Sequence, residues 1–115
     1  METTWPPTDM REVTAAGLRV REARMAALRA VRGAPNSRSS RLRAARLLMN
    51  PPDELGGLRV IKVLTSCRGI ADVKAPLMLR RAGVAQDARI DETDLTQRTA
   101  IAAAVVALNA TGGRS

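Results

Sequence analysis

The chain has 115 residues and a net charge of +8, with no His, Tyr or Phe, one Trp and one Cys. A lone Cys67 cannot close an internal disulfide, and without His the usual zinc patterns are impossible. No run approaches the ~20 apolar residues that span a bilayer, and the opening METTWPPTDM has neither a basic nor an apolar signal region. The expectation is one compact cytoplasmic domain, made by a chain long enough to bury a core without a staple.

Residues 1–7 read as a flexible tail, because Pro6 and Pro7 exclude helix up to that point. The stretch 8–33 then reads as one long helix. Asp9 is its N-cap and Glu12 stands at the matching position of a capping box. Val13, Ala16, Val20, Ala23, Ala27 and Val31 recur at spacings of three and four, which makes one narrow apolar stripe. Gly33 before Ala34-Pro35 ends it.

A second helix starts at a cap on Asn36 or Ser37 and stops at Pro51-Pro52. Its spacing sets Leu42, Ala45, Leu48 and Met49 inward and Arg38, Arg41 and Arg46 outward. A third covers LRVIKVLTSC, residues 58–67. Its β-branched content also suits a strand, but a lone strand with nothing to pair with is unstable. A fourth runs from near Asp72 to about Ala82, with Pro76 in its first turn and Gly83 as its stop. The last follows an acidic loop, is capped by Asp94 or Thr96 and ends near Ala110, leaving a loose tail at 111–115. The predicted fold is all-α: a long N-terminal helix plus a small four-helix unit, forming a single domain over 8–110.

The cations are almost all arginine, with Lys62 and Lys74 the only lysines. Arginine presents a planar fork that matches phosphate. A GC-rich genome accounts for arginine over lysine, but not for the excess of positive charge. That excess is uneven. From Ala23 to Pro52 there is no acid, while Arg24, Arg29, Arg32, Arg38, Arg41, Arg43 and Arg46 fall there. This asymmetry predicts a polyanion-binding face in the first half.

A second signal is the turn Arg68-Gly69-Ile70-Ala71-Asp72-Val73-Lys74-Ala75, close to the hairpin pattern G-h-G-x-x-x-A with h apolar. Gly69 permits a left-handed backbone, and Ile70 plugs the turn into the core. The first amides of the next helix have no partner within it and make an anion site with the helix dipole. Arg68 and Lys74 stand beside it. Such a site grips a phosphate without reading a base. Two departures oppose it: Ala71 replaces the second glycine, and Asp72 either caps the helix or repels an incoming phosphate. The plainer alternative is an ordinary helix–turn–helix corner.

From Leu55 to Ile101 the sequence resembles a divergent member of the actinobacterial (mycobacterial-type) integration host factor family. Leu55-Gly56-Gly57-Leu58-Arg59-Val60 matches that family's L-G-K-M-K-V element, Ile70 to Ala75 its V-G-K-V-K-A turn, and Gln97-Arg98 its last helix start. The resemblance implies a helix-two-turns-helix module (55–110), and DNA contacts at Arg59, Lys62, Gly69, Ile70, Ala71 and Lys74. It implies duplex binding with little sequence preference, bending or compaction of DNA in the nucleoid, and a recombinase or other nucleoid proteins as further partners. Arg89 is the one basic survivor of the family's R-R-x-R-G-L-G loop, where ARIDETD now stands. Arg98 joins the N-terminal arginines as a second face.

Other functions find less support. An enzyme needs a nucleophile or proton shuttle, and Cys67 has no evident activating base. The Asp91-Glu92-Asp94 cluster lacks the spacing of a calcium loop. No cofactor, metal or small-molecule substrate is expected. The helix at 9–32 lacks the large anchors of a membrane-surface helix. Two alternatives remain open: RNA binding, since ribosomal proteins use a similar two-turn unit, and a small phage or mobile-element module that binds an acidic protein. The near absence of aromatics argues against single strands, which are held by base stacking.

Overall fold

The computed structural model describes the backbone of residues 7–70 and 72–111, and the side chains of 15–70 and 72–108. Of the expected tails at 1–7 and 111–115, residues 1–6 and 112–115 lie outside these residues, as do the side chain of Val13 in the apolar stripe and the role of Ala71.

The fold is all-α. Five helices, α1 (Pro7–Arg32), α2 (Ser37–Met49), α3 (Val60–Ser66), α4 (Lys74–Arg81) and α5 (Leu95–Thr111), are joined by short turns, with 3₁₀ turns at Asp53–Leu55 and Ile90–Glu92. No strand forms among the described residues. Pro7 is the first residue of α1 and not the last of a tail, because proline's fixed φ suits the first helical position. Asp9 therefore lies inside the helix and is not its N-cap, and Thr111 is the last residue of α5 and not the first of a tail.

Among the described residues, the part of α1 that packs on the body is its second half. Ala23, Ala27 and Leu28 pack against the core and Val31 is fully buried. Ala16 and Leu18 on the first half are exposed. The helix therefore projects, and the molecule measures 66 × 30 × 22 Å. The core beneath it is aliphatic, centred on Leu48, Leu55, Val60, Val63, Leu64, Leu79, Ile101 and Val105. Its largest interface joins α2 to α5.

Helix ends follow the expected chemistry. The Asn36 side chain accepts the Ser39 amide at 2.8 Å. At α5, Asp94 and Gln97 cap each other: the Gln97 amide donates to Asp94 Oδ1 at 2.7 Å, and the Asp94 amide donates to Gln97 Oε1 at 3.1 Å. Gly83 adopts φ +73°. The Val84 amide reaches back to the Leu79 carbonyl at 2.9 Å and that of Gly83 to Arg80 at 3.0 Å, which is the Schellman closure of α4.

Two expectations change. The buried face of α2 carries Ser40, Arg41, Ala44, Ala45 and Leu48, so Arg41 points inward and Leu42 sits at the surface. Small residues let α2 approach its neighbours closely, and the Ser40 hydroxyl finds partners inside, as buried polar groups must. In addition, α3 is shorter than 58–67. Leu58 and Arg59 are extended, and Arg59 forms an antiparallel bridge with Arg89. The segment that suited a strand thus has a partner after all, in the loop before α5.

Candidate nucleic-acid interface

The turn between α3 and α4 is built as its sequence suggests. Gly69 has φ +94°, a backbone region that disfavours any side chain. Ile70 is buried and its amide donates to the Cys67 carbonyl at 3.2 Å. The DNA contact that the resemblance implied for Ile70 thus finds its side chain buried and its amide already engaged. Val73 occupies the cap position of α4 in helical conformation, and its side chain makes no capping hydrogen bond. Asp72 is exposed and does not hold the cap position. Lys74, the first residue of α4, is exposed.

Beneath the turn lies a buried polar hub. The Ser40 hydroxyl donates to the Val31 carbonyl at 2.6 Å and accepts the Arg68 amide at 2.9 Å, so one side chain ties α1, α2 and the turn together. The Arg41 guanidinium packs directly against Gly69, where a β-carbon would collide with Nη2. Arg41 is only 5% exposed. Cys67 is buried beside both. Burial pushes its thiol pKa up, and the Ser40 hydroxyl and the Arg41 charge offset part of that rise. Such a thiol is protonated and inert near neutrality.

The other end of α3 holds a second group of cations. Arg59 and Arg89 face each other across the bridge, which the Val60 amide closes on the Ala88 carbonyl at 3.0 Å and the Ile90 amide on Leu58 at 2.9 Å. This is the non-hydrogen-bonded type of antiparallel pair, whose Cα atoms stand about 4.5 Å apart with side chains side by side. Both arginines are exposed, and Lys62 follows one turn on, also exposed. The nearby Glu92 carboxylate accepts the Arg89 backbone amide at 2.7 Å. No ion pair to Arg59 or Arg89 is present among the described residues. The seven residues of α3 separate the two cationic ends by about 10 Å.

Many of the remaining arginines do structural work. Arg68 Nη1 donates to the Ala34 carbonyl at 2.6 Å. Arg43 Nη1 donates to Ala30 at 2.8 Å, Arg24 Nε to Glu54 at 3.2 Å, and Arg98 Nη1 to Leu48 at 3.2 Å. Each satisfies a backbone carbonyl at a helix end or corner, the groups a helix leaves unpaired. With Arg41 buried, the expected phosphate ladder of the first half shrinks to Arg29, Arg32, Arg38 and Arg46, which are exposed. Sequence reasoning passed over Arg80 and Arg81, exposed in the last turn of α4. The seven-residue spacing of Arg81 from Lys74, two helical turns, was the available signal.

Among the described residues no helix is long and apolar enough to cross a membrane. No family model, no curated protein and no solved structure matches the chain.

Proposed function

We propose that the protein binds double-stranded DNA through backbone phosphates, with little sequence preference and no catalytic step. The observation that carries this reading is the Arg59–Arg89 pair. The backbone ladder holds two like charges opposite each other, an arrangement that is unfavourable on its own. An anion set between the two forks turns the repulsion into two charge-assisted contacts.

Lys62 extends that group, and Lys74 and Arg68 border a second anion site at the opposite end of α3. The first turn of α4 has no side-chain cap, although Pro76 in it carries no N–H and Ala75 is buried, so the cations contribute most there. The likeness of Leu55–Val60 and Ile70–Ala75 to actinobacterial integration host factors supports the same ligand, with bending or compaction of DNA in the nucleoid as its consequence. Trp5 is the chain's one aromatic residue, so base stacking has little to contribute and a duplex is favoured over a single strand.

The test is a titration of random-sequence duplexes of about 30 base pairs at several salt concentrations. With five to six phosphates neutralised, log K should fall against log salt with a slope of about −5, at −0.9 per phosphate. Absence of binding at low salt overturns the proposal. An unmoved affinity between 50 and 200 mM salt, the range over which such contacts weaken by orders of magnitude, does so too.

A further inference from the structure

The side of the molecule formed by α4 and α5 carries an apolar feature that phosphate binding does not use, although its rim shares Lys74 with the proposed phosphate site. An open groove of about 430 Å³ runs between the two helices, with Leu77, Met78, Ala104 and Leu108 along it and Lys74 and Arg81 on its α4 edge. Leu77 is 45% exposed and Val73, just outside, is 78% exposed. No carboxylate lines the groove. Beyond Arg98, α5 carries no charged residue as far as Thr111. A helix without charge on any side is ordinarily a covered helix.

The cations fix the chemistry of the cover. Lys74 and Arg81 lie on one stripe of α4, two turns or about 10 Å apart. The groove between them is aliphatic, which a phosphate ladder cannot use. A second copy of this chain fits poorly: its only acids on α-helices, Asp9, Glu12 and Glu22, all lie on α1 and each has an arginine, Arg11 or Arg21, within two residues. We propose that the α4–α5 groove docks an acidic amphipathic helix of a partner protein. Two carboxylates two turns apart sit on Lys74 and Arg81, and the apolar residues between them pack on Leu77 and Met78. This is the helix-in-groove mode, with charge setting the register.

The experiment uses the full chain and a fluorescein-labelled helical peptide with Glu at i and i+7 and Leu at i+3 and i+4. Its control is a peptide of the same composition rearranged so that no stripe forms. Anisotropy should show binding of the striped peptide in the range of about 10–100 μM, with the control about tenfold weaker. Leu77→Gln should weaken the striped peptide by about tenfold and, adding no charge beside Lys74, leave duplex affinity unchanged, which separates this site from DNA binding. Arg81→Glu provides a second variant at an exposed position. It should weaken the same peptide and recover affinity for a version with Lys in place of Glu. Equal binding of striped and rearranged peptides overturns the proposal, as does wild-type affinity in both variants. So does self-association in sedimentation that Leu77→Gln abolishes, because the groove would then belong to a second copy.

Discussion

Removing both members of the Arg59–Arg89 pair should move stability and binding in opposite directions. In the free protein the two guanidiniums repel. At a separation of roughly 6 Å in water the repulsion is about 0.7 kcal/mol, and screening at physiological ionic strength roughly halves it. Both side chains are exposed and neither lies in the core, so truncation removes little packing. Their backbone bridge rests on Val60, Ala88, Ile90 and Leu58 and survives the change. The double variant Arg59→Ala/Arg89→Ala should therefore unfold in urea at the wild-type midpoint or slightly above it, by about 0.3 kcal/mol.

Duplex binding should weaken over the same substitution. Two lost phosphate contacts lower the salt slope by about 1.8, and because the contacts carry no base information the loss should be equal on unrelated sequences. Urea unfolding followed by far-UV circular dichroism and anisotropy on two unrelated duplexes make the pair of measurements. A variant that loses stability together with binding refutes the argument, since the arginines would then be holding the fold. A variant that keeps the wild-type salt slope refutes it from the other side and moves the DNA face away from α3.

Four further outcomes follow from the same geometry. Ser40→Ala leaves the Arg68 N–H without its partner and leaves Val31 O only the long 3.5 Å bond from the Ala34 amide. It should cost about 2–4 kcal/mol in urea unfolding, and a loss under about 1 kcal/mol would mean that the hub is not needed. Gly69→Ala meets both a left-handed backbone and the Arg41 guanidinium; it should destabilise by more than the roughly 1 kcal/mol of the backbone term, and Gly69→Ala in an Arg41→Ala background should recover the excess. Arg68→Ala/Lys74→Ala should lower the salt slope by fewer than two phosphates, because Arg68 already serves the Ala34 carbonyl; a full drop of two would release Arg68 from that role. The Cys67 thiol is held above its ordinary 9.0 by burial, so above that pH the unfolded chain loses a proton that the fold retains. Stability should be complete below pH 9.0 and decline above it, a decline that Cys67→Ala removes.

Much of the architecture was legible in local signals. Asn36, Asp94, Pro51-Pro52 and Gly83 mark helix ends by local chemistry that acts within four residues, while the reciprocal bond from Gln97 emerged only in the fold. Gly69 and Ile70 do the same for the turn, one through its φ and the other through burial. The less legible part depends on contacts between distant segments. Arg59 and Arg89 are thirty residues apart in sequence, and their pairing arises because the loop before α5 returns to cover the start of α3. The same return gives Leu58 and Arg59 the extended partner that no nearby residue supplied.

The arginines make the argument most sharply. Composition presents Arg24, Arg41, Arg43, Arg68 and Arg98 as solvent cations indistinguishable from Arg29 or Arg38. In the fold, Arg24, Arg43, Arg68 and Arg98 each close a backbone carbonyl exposed by a helix end or corner, and Arg41 lies against Gly69. Helix carbonyls need donors, and a protein with few lysines, no histidine and short connections has guanidiniums within reach of them. The same fork that suits phosphate suits a carbonyl, so residue type alone cannot apportion it between ligand and fold. What separates the two uses is whether a carbonyl lies within reach. At Arg59, Lys62, Lys74 and Arg89 no side-chain hydrogen bond or ion pair is present among the described residues, and there the positive charge remains for a partner outside the chain.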